Sequence, residues 1–138
     1  MNAKAYLEQM KVLETKIKQK EERIEYLKEA AGGAGAIRYD KDRVQTSLTD
    51  SKLESLVVQY MQFEQEVACM KKRYFFMLHH AVNILEKKLS EDKEKIVLKK
   101  IYIYDMSYNM IAKAYGVSRW TVYRWRDSAF EHLKDTEF

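Results

Sequence analysis

The sequence predicts an all-α protein: a long antiparallel helical hairpin of coiled-coil character, followed by a C-terminal three-helix domain of helix-turn-helix type. Three observations carry this expectation. Hydrophobic residues make up 46% of the 138 residues and charged residues 33%, with no proline, a composition suited to helices and short of the turn residues a β-rich fold needs. Apolar side chains recur at alternating spacings of three and four through two long segments, which marks one buried helix face in each. The four glycines act as punctuation, three of them at Gly32, Gly33 and Gly35 and the fourth at Gly116 between two short helical patterns.

The first helix is read over residues 3–27, where Ala3, Tyr6, Met10, Leu13, Ile17, Lys20, Ile24 and Leu27 share a seam. Its other faces are filled by Lys, Glu and Gln, and Glu14 stands four residues before Lys18 in the favourable order for an ion pair. A link at about 31–50 follows, with DRVQTS at 42–47. It is longer than a bare hairpin turn requires, so it is either a mobile connection or a segment with a task of its own.

The second helix is read from Leu53 through Leu56, Tyr60, Phe63, Val67, Met70, Tyr74, Met77, Ala81 and Ile84, with the register failing at Lys88. Ser51 with Glu54 forms a capping box that sets its start near residue 51. At ~1.5 Å per residue the helix is roughly 55 Å long and needs a partner for its stripe. Either the first helix folds back on it or the same helix of a second copy does. Residues 1–89 are thus expected to form the hairpin, with a homodimer through the same residues as its companion arrangement.

From Ser90 the pattern changes. Ser90 is read as an N-cap with Glu91 and Asp92 in the first turn, and Val97, Leu98, Ile101 and Tyr102 fall on one face of a helix over 91–104. The run IYIY at 101–104 is too short for an isolated strand and has no partner strand. Ser107 can cap a further helix in which Ile111 is an apolar contact and Ala112 is small at the closest approach of two backbones. Gly116 permits the positive φ that ends that helix, and Val117 tucks under the turn. Ser118 can cap the last helix, expected at about 118–133, with Val122, Trp125, Ala129 and Leu133 as its inner stripe. Residues 90–138 thus read as a helix-turn-helix domain.

The net charge of +4 is a mild bias, but its distribution is not even. From Lys99 to Arg126 the cations Lys99, Lys100, Lys113, Arg119, Arg124 and Arg126 face the single anion Asp105, whereas residues 127–138 are net acidic. The outer face of the last helix carries Arg119, Trp120, Thr121, Tyr123 and Arg124, which a major-groove helix would aim at base edges. Lys113, Arg126 and the hydroxyls of Ser107 and Tyr108 are spaced for phosphates. With Ser118 at the helix start, these residues make up the candidate DNA-binding set, and double-stranded DNA is the expected partner.

Other chemistry finds no footing in the sequence. No apolar run exceeds the five residues Tyr74 to Leu78, and MNAKAYLEQMK lacks an apolar signal core, so neither a membrane span nor a membrane partner is expected. Cys69 is read as a small buried apolar residue. His79 and His80 point about 100° apart on a helix and His132 is remote, which gives no metal site. Gly32, Gly33 and Gly35 lack the flanking strand and Lys-Ser/Thr of a phosphate loop. No catalytic residue, cofactor or metal is expected, and the chain is read as a non-enzyme.

Residues 97–133 also resemble region four of bacterial sigma factors, with VL and Tyr102 in the first helix, SYNMIAKAYGVSRWTVYR across the turn and AFxxL at 129–133. Over the whole chain, the opening MNAKAYLEQ, DRVQTS at 42–47 and this C-terminal motif resemble a family of small phage and prophage proteins of Gram-positive bacteria. That family is akin to late transcription regulators of the autolysin-regulator type. Such proteins tend to have Gly near 105 and Arg near 120, where this chain has Asp105 and Trp120. The resemblance implies a contact or structural role for Arg43 and Gln45. It also implies a regulator of phage or prophage genes in the cytoplasm of a bacterial host, associated with the nucleoid and in reach of RNA polymerase. Two alternatives remain open at this level: a DNA-packaging protein of the small-terminase kind, and a coiled-coil adaptor that contacts RNA polymerase without binding DNA.

Overall fold

The computed structural model describes residues 1–32 and 50–138, and these contain helices but no strand. Five helices follow one another among the described residues: α1 (Ala3–Ala30), α2 (Asp50–Lys88), α3 (Asp92–Tyr102), α4 (Tyr108–Tyr115) and α5 (Arg119–His132). None is long and apolar enough to cross a membrane. The DRVQTS segment, with Arg43 and Gln45, lies outside the described residues, as does most of the 31–50 link.

Two compact units divide the chain, and their boundaries fall inside α1 and α2. One unit comprises Met1–Glu14 and Arg73–Phe138, the other Thr15–Lys72. The first holds one continuous apolar core. Ala3, Leu7 and Met10 of α1 join Met77, Ala81 and Leu85 of α2, together with Leu89, and with Val97, Leu98, Ile101, Ile111, Val122, Ala129 and Leu133 from the C-terminal segments. Within this core α3 packs on α5, α4 on α5, and α3 on α4. The Tyr6 hydroxyl donates to the Met77 carbonyl at 3.2 Å, and the Tyr74 hydroxyl to Glu14 at 3.4 Å. Earlier residues of α1 therefore meet later residues of α2.

The Thr15–Lys72 unit is thinner. Among its described residues only Ile17, Ile24, Leu27 and Val67 are buried, while Leu53, Leu56, Tyr60, Phe63 and Met70 stay half-exposed. Ion pairs rim the seam, Lys28 with Glu64 at 3.1 Å, Lys71 with Glu21 at 3.6 Å and Lys20 with Glu66. Pairs this exposed contribute little, because solvent screens the charges and ordering two long side chains costs entropy. Lys20 also lies over the Phe63 ring and Lys28 over Tyr60, so the ammonium groups cover part of these half-exposed rings.

Three expectations need correction. The helix after residue 88 begins at Asp92 with Glu91 as its N-cap in extended conformation, and no side chain caps it, so Ser90 lies one residue too early. Cys69 is exposed because it falls between the seam positions Val67 and Met70 and points away from both. The apolar stripe of α2 does not stop at Ile84, which is half-buried; it passes to Leu85 and then Leu89, both of them buried.

Candidate functional site

The segment from Asp105 to His132 owes its shape to four local devices. Asp105 leaves α3 at φ 52, a left-handed conformation that aspartate tolerates better than most residues. Lys11 meets its carboxylate at 3.5 Å. Ser107 then caps α4, its Oγ accepting the Met110 N–H at 3.2 Å. Gly116 ends α4 at φ 64 and ψ 33. There the Val117 N–H donates to the Ala112 carbonyl at 3.0 Å and the Gly116 N–H to Lys113 at 3.3 Å, the paired bonds of a Schellman stop. Ser118 restarts the chain as the cap of α5, its Oγ accepting the Thr121 N–H at 3.3 Å and meeting the Thr121 hydroxyl at 3.1 Å.

A side chain at Gly116 would meet no atom within 4 Å, so the need for glycine there is conformational and not spatial. Gly116→Ala is therefore expected to cost roughly 1 kcal/mol in urea denaturation, the penalty of placing a Cβ in the left-handed region. An unchanged unfolding midpoint would mean that the turn does not hold this conformation in solution.

α5 buries Val122 and Ala129, with Leu133 just past its end, against Ile111 and Ala112 of α4 and Val97, Leu98 and Ile101 of α3. With that stripe inward, the opposite arc faces solvent. Trp120 and Arg124 are exposed on it, Arg119 is exposed beside α4 at the first position of α5, and Lys113 is exposed on α4. Arg119 donates toward Asn109 Oδ1 of α4 at 3.5 Å.

The remaining residues of the predicted set form a braced cluster. The Tyr108 and Tyr123 rings lie 4.6 Å apart between centroids. The Arg126 guanidinium sits 5.5 Å from the first ring and 5.2 Å from the second. It donates to the Tyr108 hydroxyl at 2.9 Å and to Asp127 Oδ1 at 2.8 and 3.0 Å. Arg126 and the Tyr108 hydroxyl, spaced in the sequence for phosphates, are therefore joined to each other. Arg126 also neutralises Asp127, a carboxylate on the same exposed arc as Arg124, through their ion pair.

The basic cluster divides in the same way. Lys99 pairs with Glu86, as does Lys95 at 3.3 Å, and these ammonium groups hold the Glu86 carboxyl below its usual range, Lys99 foremost. Lys100 lies 5.4 Å over the Tyr115 ring. The cations left outward are Lys113, Arg119 and Arg124.

Sequence spacing missed three participants. Asn109 carries no pattern signal. Asp127 is adjacent to Arg126, and neighbours on a helix do not ordinarily face one another; the length of arginine closes the gap. Glu94 is buried at 2% exposure and accepts from Ser128 Oγ at 2.7 Å while lying 2.8 Å from His132 Nδ1. It ties the start of α3 to the end of α5.

The Glu94 hydrogen bond, with the carboxylate charge behind it, raises the His132 pKa above 6.5. A raised folded-state value means that protonated His132 favours the folded chain. That contribution is complete below the ordinary histidine value and is lost as pH climbs through the raised one. The melting temperature is therefore expected to fall from pH 6 to pH 8.5 by more in the wild type than in His132→Gln. Parallel pH profiles for the two would contradict the pairing.

These features define an all-helical protein whose C-terminal helix displays cations and one exposed tryptophan around a buried apolar stripe. No family model, curated protein or solved structure matches the chain.

Proposed function

We propose that the chain is a sequence-specific DNA-binding regulator of transcription. In this reading α4, the Gly116 turn and α5 act as a helix-turn-helix, and α5 lies in the major groove. The observation that supports it is the exposure of Trp120 and Arg124 on one arc of α5, with Arg119 exposed at its first position, beginning at a capped N-terminus. That is the end from which such a helix reaches base edges. Lys113 is then placed to neutralise phosphate. Residues 1–89 form an antiparallel helical hairpin that assembles the protein, and the half-exposed seam of Leu53, Leu56, Tyr60, Phe63 and Met70 supports a second copy as its cover. The resemblance of the whole chain to small phage and prophage proteins supports phage or prophage promoters as the target, and the likeness of residues 97–133 to sigma region four supports RNA polymerase as a further partner.

A second reading has one observation in its favour. Phe75 and Phe76 on α2 are 61% and 75% exposed, as suits a coiled-coil adaptor that contacts a protein through this face. Gel retardation at low salt with duplex DNA from upstream of the gene separates the two. The regulator retards the fragment, and retardation fades as salt rises, by about 0.9 log units of affinity per log unit of salt for each phosphate neutralised. An adaptor leaves the fragment unshifted at every protein concentration.

A further inference from the structure

We propose that Trp120 is a specificity residue that reads the C5-methyl group of thymine in the major groove. The proposal rests on the DNA-binding reading of α5 and adds the base feature that its one exposed apolar ring recognises.

Trp120 is 71% exposed and is the second residue of α5. A tryptophan kept for packing would be covered, as Trp125 partly is against the core. The Trp120 ring also has a ring to rest against. It stands edge-on to Tyr123, with centroids 5.8 Å apart and planes at 76°. Tyr123 in turn leans on Tyr108 and lies under Arg126, which the Tyr108 hydroxyl and Asp127 fasten. The brace gives the indole a resting place against Tyr123 before any ligand arrives, which lowers the side-chain entropy to be lost on binding.

What such a ring can recognise follows from what the groove offers. Base edges there present hydrogen-bond donors and acceptors, and the C5-methyl of thymine is their apolar feature. The indole has a single N–H donor, so hydrogen bonding is left to its neighbours. Arg119 and Arg124 flank it, and each can make paired bonds to guanine. The exposed part of α5 thus combines two hydrogen-bonding side chains with one apolar surface between them, a pattern suited to a site in which thymine lies next to guanine.

The test begins with a pool of random duplexes, from which the full-length wild-type chain enriches its preferred sequences. Those duplexes are remade with deoxyuridine in place of each thymidine in turn, which removes only the methyl group. Binding is read by fluorescence anisotropy. At one or more positions the wild type is expected to bind the uracil duplex about fourfold more weakly, the loss for one buried methyl. Trp120→Ala loses that difference and Trp120→Phe keeps part of it, with melting temperatures unchanged because the site is exposed. Equal binding of thymine and uracil duplexes by the wild type overturns the proposal and leaves the DNA reading standing. A thymine preference that survives in Trp120→Ala overturns it too, since another residue then reads the methyl. If no duplex is retained at any salt, both the proposal and the reading beneath it fall.

Discussion

Leu98→Ala is expected to destabilise the unit it belongs to by about 2–5 kcal/mol, because Leu98 is fully buried and the cavity adds to the lost burial. It sits in the core shared by α1, α2, α3, α4 and α5, where no flexible surface can collapse into the gap. Leu56→Ala is the control. Leu56 is also an apolar leucine on an inward-facing helix position, that of α2, but it is half-exposed in the Thr15–Lys72 unit, so its truncation is expected to cost about 1 kcal/mol. Urea denaturation followed by circular dichroism measures both. Equal losses would mean that the Thr15–Lys72 seam is covered in solution as thoroughly as the first core, and a loss for Leu56 that depends on protein concentration would identify a second copy as the cover.

The second large effect is on binding. The double variant Arg119→Ala with Arg124→Ala is expected to weaken binding to a preferred duplex by about 30-fold or more, since each paired arginine-to-guanine contact contributes ~1–3 kcal/mol. Both side chains are exposed, so the fold should not change with them. Lys113→Ala has a different signature: it weakens all sequences alike and lowers the salt slope by about 0.9, as the loss of one phosphate contact does. A double variant with wild-type affinity would remove α5 as the reading helix even if the chain binds DNA elsewhere.

Much of the helical scaffold was legible in the sequence. The spacing of Ala3, Met10, Ile17, Ile24 and Leu27 located the buried face of α1, and Val67, Met77 and Ala81 that of α2. What spacing missed in α1 was Leu7, fully buried where Tyr6 was expected. At that level the core draws on several helices, and a seam one residue wide in a two-helix pair broadens to take in its neighbour. Leu85 and Leu89 were missed for the same reason.

The devices of the α4 and α5 region were also legible, because caps and glycine stops depend on short-range chemistry. Ser107, Gly116 and Ser118 hold the positions their residue types imply. The pairing of Arg126 with Tyr108 and Asp127 was not legible. Eighteen residues separate Arg126 from Tyr108, and only the packing of α4 on α5 brings them together. The same holds for Glu94 with His132, 38 residues apart. Long-range polar pairs leave no periodic trace, so a basic residue counted toward an outward field can prove to be committed inside it.

The most direct test of a DNA-reading α5 is selection from a random duplex library by the wild-type chain and by the Arg119→Ala/Arg124→Ala variant, side by side at low salt. The wild type is expected to enrich one short sequence family and the double variant to enrich none. Enrichment of the same sequences by both, or retention of no duplex by the wild type, would contradict it.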